Sequence, residues 1–435
     1  MIYDELYKSK LTTAKEAASK VKSGERVYIG QTSSIAYALA EALMDREDEL
    51  EDVTICSSNI ARPLKCHEPG HSKAFKLCTF FMGNAERKIQ DPDIMEFTPV
   101  LITQDAIWVE HGARPDWAFL EVSQPDEEGF MSFGAGGVTH HEHFKNIAKH
   151  VVLQVNKNAP YVYGAHNLVH VSEAEYIVEA DTPLCTVQTP GFDDTLKTIS
   201  DYILEQIPDG ACLQLGIGGV AGALGLGLKQ KNDLGIHTEM LTDSMMDLIT
   251  SGNVTNAKKG FMPGISTVVF AFGSEELYRF CNYNDKLWFA PYRIINDPYT
   301  IAKNDNMISI NTAFSVDLLS QVSAESIGYR QYSGTGGQID YVHGSQMAKG
   351  GKSFIAIPST YTDNDGKLQS RIVLNFPAGT AVTTPRTEVQ YVVTEYGCRN
   401  LKILNRKDKA LALIELSHPS FREELKEQAK RCGLI

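Results

Sequence analysis

Residues 210–228 read GACLQLGIGGVAGALGLGL, an uncharged stretch that approaches the length of a membrane-spanning helix. Its seven glycines argue against a continuous helix, because glycine is a poor helix former. The pattern instead predicts a short buried strand in ACLQL, a turn in GIGG and a helix in VAGALGLGLKQK. Strand, glycine turn and helix in this order form the basic unit of an α/β fold.

The same alternation continues on both sides of this stretch. Short apolar runs such as ERVYIG, DVTICSS, HVVLQVN and KSFIAIPS are separated by helical stretches. Before the first of these runs, Thr13 and Glu16 have the spacing of a helix-capping box, and Gly24 suits a helix end. The chain is therefore predicted to have an α/β fold with mainly parallel sheets.

The length of 435 residues exceeds what one compact core accommodates, so two domains are expected. An internal repeat supports this expectation, since KVKSGERVYIGQTSS, from Lys20, resembles QIPDGACLQLGIGGV, from Gln206. A second matching pair is VSQPDEEGFMSFGAGG and VSAESIGYRQYSGTGG. We predict two similar domains, in residues 1–188 and 189–435.

The composition limits the classes of ligand. A formal net charge of -13 argues against a general nucleic-acid or membrane surface, but it permits a local group of Lys and Arg around a phosphate-bearing ligand. The 8 cysteines form no C-x-x-C motif, which indicates reduced thiols in a cytoplasmic protein. The first residues, MIYDELYKSK, have no apolar signal segment. We expect a protein that binds small molecules.

One carboxylate, Glu239, lies at the end of a predicted buried strand in LGIHTEML. In a parallel sheet the carboxyl ends of the strands face the crevice where ligands bind. Asp243 can cap the helix that follows, whereas the sequence shows no structural role for Glu239. Glu239 is therefore a candidate functional residue, and the alternative is a solvated or ion-paired surface carboxylate.

The same region fits a dinucleotide-binding pattern. Gly216, Gly218 and Ala221 have the required spacing, and Glu239 follows about 20 residues later, where a ribose-binding acid occurs in such proteins. No group of residues for hydride transfer accompanies the pattern. An NAD-dependent oxidoreductase is one alternative function, and a binding or structural protein is another.

A second glycine cluster lies in YSGTGGQIDYVHG, at Gly334, Gly336 and Gly337. Glycine lets the main chain approach a ligand closely and present N–H groups to an oxyanion. The alternative is a set of tight turns that require positive φ angles.

No metal site is predicted. The histidine-rich segment THHEHFKNIAKH lacks the H-E-x-x-H spacing and resembles the opening of a surface helix. Cys66, His67, His71 and Cys78 are ligand-type residues without the spacing of a zinc site.

Seven segments carry a family resemblance: GACLQLGIGGV, LGIHTEM, ISINTA, SGTGGQIDYVHG, GGKSFIAIPST, AVTTPRTEVQYVVTEYG and ALIELSHPSFREEL. Together they resemble the acetyl-CoA hydrolase/transferase family of CoA-transferases. The amino-terminal SQPDEEGFMSFG extends the resemblance over essentially the whole chain.

The resemblance implies two tandem CoA-transferase domains of Rossmann-like topology, with Glu239 as the catalytic nucleophile. It also implies that both glycine segments contact CoA and that Asn311 lies close to the reacting acyl group. The residues that it assigns to CoA binding are Gly216, Ile217, Gly218, Gly219, Val220, Asn311, Gly334, Gly336, Gly337 and Lys352. Candidates for the substrate pocket are Gln31, His237 and Gln338.

The implied function is transfer of CoA from butyryl-CoA or 4-hydroxybutyryl-CoA to acetate or another carboxylate, through a ping-pong mechanism with a glutamyl-CoA thioester. A glutamate has a reference pKa of about 4.3 and needs no general base near neutral pH. Coenzyme A is then a substrate and covalent intermediate, and no cofactor is bound permanently. We expect a cytoplasmic homo-oligomer. An acyl-CoA hydrolase of the same family remains an alternative.

Overall fold

The structure is a computed structural model that describes residues 3–112, 114–188, 190–216 and 218–435. The elements before residue 190 are α1 Asp4–Lys10, α2 Ala14–Ala18, β1 Arg26–Gln31, β2 Ser34–Ile35, α3 Tyr37–Met44, β3 Val53–Ser58, β4 Phe75–Thr79, β5 Met95–Phe97, α4 Asp105–Ile107, β6 Trp117–Val122, β7 Phe130–Ser132, α5 Gly134–Gly137, α6 His141–Ile147, β8 His150–Val155, β9 Leu168–His170 and β10 Tyr176–Glu179.

The later elements begin with α7 Asp194–Leu204, β11 Cys212–Leu215, α8 Gly219–Leu228, β12 Gly235–Leu241, α9 Asp243–Thr250, β13 Ser266–Ala271, α10 Glu275–Cys281, β14 Leu287–Phe289, α11 Tyr292–Ile295, α12 Pro298–Ile301 and β15 Met307–Thr312. They continue with β16 Ser315–Asp317, β17 Val322–Ser323, β18 Ser326–Ile327, β19 Arg330–Gln331, α13 Gln338–Met347, β20 Lys352–Ala356, β21 Thr360–Thr362, β22 Leu368–Ser370, β23 Ile372–Val373, β24 Tyr391–Thr394, β25 Gly397–Asn400, α14 Arg406–Leu416 and α15 Pro419–Arg431.

Two large sheets organise the described residues. The first has the order β10-β8-β6-β1-β3-β4-β5, with β2 antiparallel on β1 and the strands of the main path parallel. The second has the order β14-β13-β12-β11-β15-β20-β24-β25, in which β12 through β24 are parallel and β25 is antiparallel. The predicted fold class, α/β with mainly parallel sheets, is confirmed.

The two sheets repeat one topology. In the first sheet, β1 has β3, β4 and β5 on one side and β6, β8 and β10 on the other. In the second sheet, β11 takes the place of β1, with β12, β13 and β14 on one side and β15, β20 and β24 on the other. Gly24 precedes β1 with φ 80°, and Gly210 precedes β11 with φ 78°. This correspondence agrees with the internal repeat of the sequence.

By its internal contacts the chain divides into two compact units. The first contains Met1–Gln188, Glu239–Asp243 and Thr267–Ile295, and the second contains Thr189–Thr238, Ser244–Ser266 and Asn296–Ile435. Glu239 thus belongs to the first unit, whereas the start of its strand belongs to the second. The predicted domain boundary between residues 188 and 189 stays a prediction.

The first unit buries apolar side chains on both faces of its sheet. Val27 and Ile29 of β1 contribute to one core cluster, and Tyr28 contributes to the other, where its ring stacks on Phe144 at 3.7 Å. This alternation is the period of a strand buried on both faces. The same cluster corrects the expectation of a surface helix around THHEHF, because His141 is 0% exposed and its Nδ1 lies 3.1 Å from the Tyr28 hydroxyl.

The second unit has its own core, which packs against β20 and β24. Ile355 of β20 and Val392 of β24 pack with Leu413 and Leu416 of α14. The predicted helix after the first glycine segment is confirmed as α8. The predicted helix start at Thr13 is also confirmed, because the Thr13 hydroxyl accepts a hydrogen bond from the Glu16 N–H at 3.1 Å.

Candidate active site

Glu239 is the one residue of β12 that is not buried; the other six residues of the strand are. A carboxylate on an otherwise buried strand requires a reason, since burial of ionised groups is costly. Two residues beyond the strand, Asp243 begins α9, and its carboxylate accepts hydrogen bonds from the Ser274 N–H at 3.1 and 3.3 Å. Asp243 therefore has a structural role, as the sequence suggests, although its observed partner is the start of α10.

His237 lies on the same strand face as Glu239 and is fully buried. Its ring lies 5.8 Å from that of Phe261, edge to face, and 6.2 Å from that of Tyr341. These contacts place His237 in the aromatic core of the second unit, as a packed histidine.

The first glycine segment joins β11 to α8. The Gly216 N–H donates to the Ile310 carbonyl at 3.2 Å, which holds the end of β11 against β15. Gly218 precedes α8 with φ 117°, a left-handed conformation that favours glycine, and a side chain there would meet nothing within 4 Å. Ile217 lies outside the described residues.

The other two residues of this segment pack inward. A Cβ on Gly219 would lie 2.5 Å from Leu196 Cδ1, so a larger residue there would require the Leu196 side chain to move. Val220 is buried, and its carbonyl accepts a hydrogen bond from the Ser200 hydroxyl at 3.3 Å. Open space in this segment is therefore found at Gly218.

Asn311 lies near the carboxyl end of β15 and is partly exposed. Its Nδ2 donates to Gln214 Oε1 at 3.3 Å, and the same oxygen accepts from the Ile310 N–H at 3.2 Å. Gln214, on β11, is a buried residue that sequence reasoning missed. The available signal was a polar side chain inside the apolar run CLQL.

The second glycine segment precedes α13. Gly336 has φ 56°, and Gly334 and Gly337 are buried. The neighbouring Glu325, which the sequence analysis also missed, accepts a hydrogen bond from Thr383 Oγ1 at 2.9 Å and lies 3.4 Å from Thr335 Oγ1. A buried carboxylate thus fixes the loop that presents the glycines.

Gln338 and Lys352 take up internal contacts. Gln338 Nε2 donates to Thr384 Oγ1 at 3.0 Å in a buried position. Lys352 is the first residue of β20, level with Ile308, whereas Asn311 is level with Ile355 near the other end of the strand. Its Nζ donates to the Gln206 carbonyl at 3.0 Å, so Lys352 lies at the amino edge of the sheet and is not brought together with Asn311.

Gln31, at the end of β1, belongs to the first unit. Its Nε2 lies 2.7 Å from His140 Nδ1, and both side chains are buried. The turn that follows is fixed because Ser33 Oγ donates to the Ala271 carbonyl at 3.0 Å and Thr32 has φ 50°. The carboxyl edge of the first sheet therefore carries a pre-organised polar turn.

Within the described ranges, no group of three His, Cys, Asp or Glu side chains could hold a metal ion. In the same part of the chain, no helix combines the length and apolar character needed to cross a membrane.

Two mainly parallel sheets of one topology, with glycine segments at strand ends and a carboxylate on a buried strand, define the class of the protein as α/β, in which ligands bind at the carboxyl ends of strands. Two family models match the chain: the acetyl-CoA hydrolase/transferase N-terminal domain over residues 1–188 and the C-terminal domain over residues 273–429. The chain belongs to the acetyl-CoA hydrolase/transferase family. The predicted family and the prediction of an enzyme of CoA chemistry are confirmed.

Individual relatives match along the whole chain. The 4-hydroxybutyrate coenzyme A transferase of Clostridium kluyveri is 39% identical over 99% of this chain and 100% of its own. The butyryl-CoA:acetate CoA-transferase of Anaerostipes caccae is 37% identical over 100% and 99%. Among solved structures, RipA from Yersinia pestis has a TM-score of 0.92 at 35% identity and covers 100% of both chains.

Proposed function

We propose that this enzyme transfers CoA from a short-chain acyl-CoA, butyryl-CoA or 4-hydroxybutyryl-CoA, to acetate or another carboxylate through a glutamyl-CoA thioester on Glu239. The single observation that carries the proposal is the position of Glu239, a partly exposed carboxylate on a strand whose other residues are all buried. The names of the two relatives above supply the acyl donors. The proposed enzyme is a cytoplasmic homo-oligomer with domains in residues 1–188 and 189–435.

The neighbouring strands β11 and β12 are parallel, and both run toward the same edge of their sheet. Cys212 and Gly235 are register partners in these parallel strands; Gly216 follows the last residue of β11, and Glu239 lies within β12. Ligands of parallel sheets bind beyond the carboxyl ends of the strands. CoA held by the backbone at Gly218 would approach that edge.

The proposed steps of CoA transfer begin with the Glu239 carboxylate as nucleophile. The Glu239 carboxylate attacks the thioester carbonyl, the C–S bond breaks, and CoA leaves as a thiolate from a mixed anhydride. The thiolate then attacks the glutamyl carbonyl and releases the donor as its carboxylate, which leaves a glutamyl-CoA thioester. The acceptor acid reverses these steps. Glutamate is ionised near neutral pH, so no general base is required.

Weak carboxylate nucleophiles react at useful rates only when binding aligns the reacting atoms and donors stabilise the tetrahedral oxyanion. Backbone N–H groups of the second glycine segment, at Gly336 and Gly337, are proposed oxyanion donors. Asn311 is proposed to lie beside the acyl group, with its amide oriented by Gln214. Because Lys352 lies at the opposite edge, the proposal gives it no contact with CoA.

Peptide mass analysis of the enzyme after incubation with butyryl-CoA tests the proposal. We expect the peptide that contains Glu239 to gain the mass of CoA less one water, and we expect no gain in the Glu239→Gln variant. Circular dichroism of the variant checks that its fold is intact. An adduct on another residue, or turnover by the variant at the normal rate, would contradict the proposal.

A further inference from the structure

The turn between β1 and β2 holds a threonine in a backbone conformation that this residue type rarely adopts. Gln31 pairs with Ser34 across the turn, so Thr32 and Ser33 are its central residues. Thr32 has φ 50°, and the first central position of such a turn normally holds Gly, Asn or Asp when its φ is positive. A β-branched residue is strained there, and strained residues cluster at functional sites.

The hydroxyl of Thr32 is a second unfavourable feature of this turn. The residue is 4% exposed, and among the residues that the structure describes no group lies at hydrogen-bonding distance from its Oγ1. Because burial withdraws this oxygen from bulk water, the unpaired hydroxyl disfavours the folded protein unless a bound molecule pairs with it. Valine has the same shape without an unpaired hydroxyl, and glycine would remove the strain. A functional role for Thr32 explains both features.

Two hydrogen bonds hold the turn in its strained conformation. The Thr32 N–H donates to the Ser58 carbonyl at 3.2 Å, at the end of β3. Ser33 Oγ donates to the Ala271 carbonyl at 3.0 Å. The turn cannot relax without breaking these bonds, so the backbone of Thr32 keeps a fixed position.

The same contacts put the turn beside the strand that carries Glu239. Ala271 is the last residue of β13, and the next residue, Phe272, donates its N–H to the Leu241 carbonyl at 3.1 Å. Leu241 ends β12, two residues after Glu239. All of these residues belong to the first compact unit. Thr32 and the proposed nucleophile therefore lie at the same group of strand ends, where ligands of parallel sheets bind.

The two acyl donors of the proposed function differ in the groups that they can present to this hydroxyl. The chain of a butyryl group is apolar beyond its carbonyl, whereas a 4-hydroxybutyryl group ends in a hydroxyl that can donate and accept. We propose that Thr32 is a specificity-determining residue whose Oγ1 hydrogen-bonds the chain hydroxyl of a hydroxyacyl-CoA. The enzyme then prefers a hydroxyacyl donor to an unsubstituted one, because an apolar chain leaves Oγ1 unpaired. This inference rests on the proposed function, of which it names the donor class.

A comparison of two acyl donors tests the inference. The kcat/KM values of the full-length enzyme for 4-hydroxybutyryl-CoA and for butyryl-CoA are measured with acetate as acceptor. Thr32→Val keeps the β-branched shape but removes the hydroxyl, so the ratio of the two values should fall by about tenfold, as for the loss of one hydrogen bond. The loss should lie in the value for 4-hydroxybutyryl-CoA, and the value for butyryl-CoA should stay within about twofold of wild type.

Two further variants control for shape and for general damage. Thr32→Ser retains a hydroxyl and should keep the ratio within about threefold of wild type. Thr79→Val, at the end of β4, removes a buried hydroxyl that donates to the Phe81 carbonyl at 3.0 Å. This control should lower stability, because its hydroxyl is paired, but it should leave the ratio unchanged.

Unfolding in urea adds a measurement that does not involve turnover. Since Thr32 Oγ1 has no partner among the described residues, Thr32→Val should unfold at the same urea concentration as wild type or at a higher one. Thr79→Val should unfold at a lower concentration. An equal loss of stability in the two valine variants would show that Thr32 is paired within the protein, and it would overturn the inference.

Two kinetic results would also overturn the inference. One is an unchanged ratio in Thr32→Val, because a bound water would then satisfy Oγ1, and the other is a wild-type enzyme that prefers butyryl-CoA. A missing CoA adduct on Glu239 would instead refute the proposed mechanism, since neither the ratio nor the unfolding measurement requires a covalent intermediate. An adduct on Glu239 together with an unchanged ratio would refute the role of Thr32 alone.

Discussion

Glu121 shows how a single carboxyl group can link stability to pH. It lies on β6, 2% exposed, where Oε2 accepts from Asn156 Nδ2 at 2.9 Å and lies 3.3 Å from Thr182 Oγ1. Burial raises its pKa to about 8, against the opposing effect of these hydrogen bonds. At neutral pH the folded protein therefore holds a proton on Glu121 that the unfolded chain, with an ordinary glutamate, releases.

The first prediction concerns this proton. Between an unfolded pKa near 4.5 and a folded pKa of about 8, the native state binds more protons, so the free energy of unfolding falls as pH rises. The stabilisation from this proton is fully present at a pH below the unfolded pKa and is lost as pH rises through the folded pKa. The free energy of unfolding falls by up to about 1.4 kcal/mol per pH unit between them. Urea unfolding at several values between pH 5.5 and 8.5 measures it.

Glu121→Gln is the matched variant for this test. Its amide oxygen can still accept the Asn156 hydrogen bond, but it cannot ionise, so the decline of stability with pH should become shallower by about that slope. The fold has other titrating groups, and the comparison of the two curves removes their shared effect. Parallel curves for wild type and variant would refute the assignment of a protonated Glu121.

Individual side chains differ in how far the sequence reveals their positions. Glu239 and His237 could be placed on one strand face because apolar alternation indicates a strand. The contact of Gln31 with His140 spans 109 residues and depends on the packing of the whole unit. The family resemblance assigns Lys352 to CoA binding, but its register with Ile308 puts it at the amino edge of the sheet. An apolar run alone does not reveal the register of a strand.

At the scale of elements, the turn from β11 to α8 carries a testable conformational constraint. Gly218 has φ 117°, and Gly252, after α9, has φ 81°; a side chain at either would meet nothing within 4 Å. Alanine at either position should therefore incur a backbone cost of about 1–3 kcal/mol in the free energy of unfolding, without a clash against other parts of the chain. Denaturant unfolding of Gly218→Ala and Gly252→Ala measures this cost.

The functional expectation differs between these two variants. The open space at Gly218 is where the proposal places CoA, so the added methyl group should raise the KM for butyryl-CoA in Gly218→Ala. Gly252→Ala has the same kind of strain in a turn without a proposed ligand contact, and its KM should stay near the wild-type value. Equal KM values in the two variants would show that the first glycine segment does not approach CoA.

Elements formed by local patterns were predictable, whereas their side-chain surroundings were not. The capping residue Thr13 and helix α8 follow from short-range signals and are confirmed. The histidines and charges around His140 predict a polar surface helix, yet His140 packs against Phe80 and Tyr292. Tertiary packing determined its burial.

At the scale of the whole molecule, the common strand order of the two sheets agrees with the internal repeat of the sequence. The repeat is faint in the sequence because only turn residues such as Gly24 and Gly210 retain a conformational requirement, while the buried strands tolerate many apolar substitutions. Topology could therefore be predicted more fully than residue contacts. Relatives named for different substrates match this chain at 37–39% identity, so the family alone does not determine the exact substrate.

The last prediction concerns the reaction as a whole. If each half-reaction ends in the same glutamyl-CoA enzyme, donor and acceptor need not be bound together, and initial-rate plots should give parallel lines. The enzyme should also exchange labelled butyrate into butyryl-CoA without any second acid, because one half-reaction runs in both directions. Glu239→Gln is the control and should lose this exchange. CoA release at the same rate with and without acetate would indicate a hydrolase, and intersecting lines without exchange would exclude the covalent intermediate.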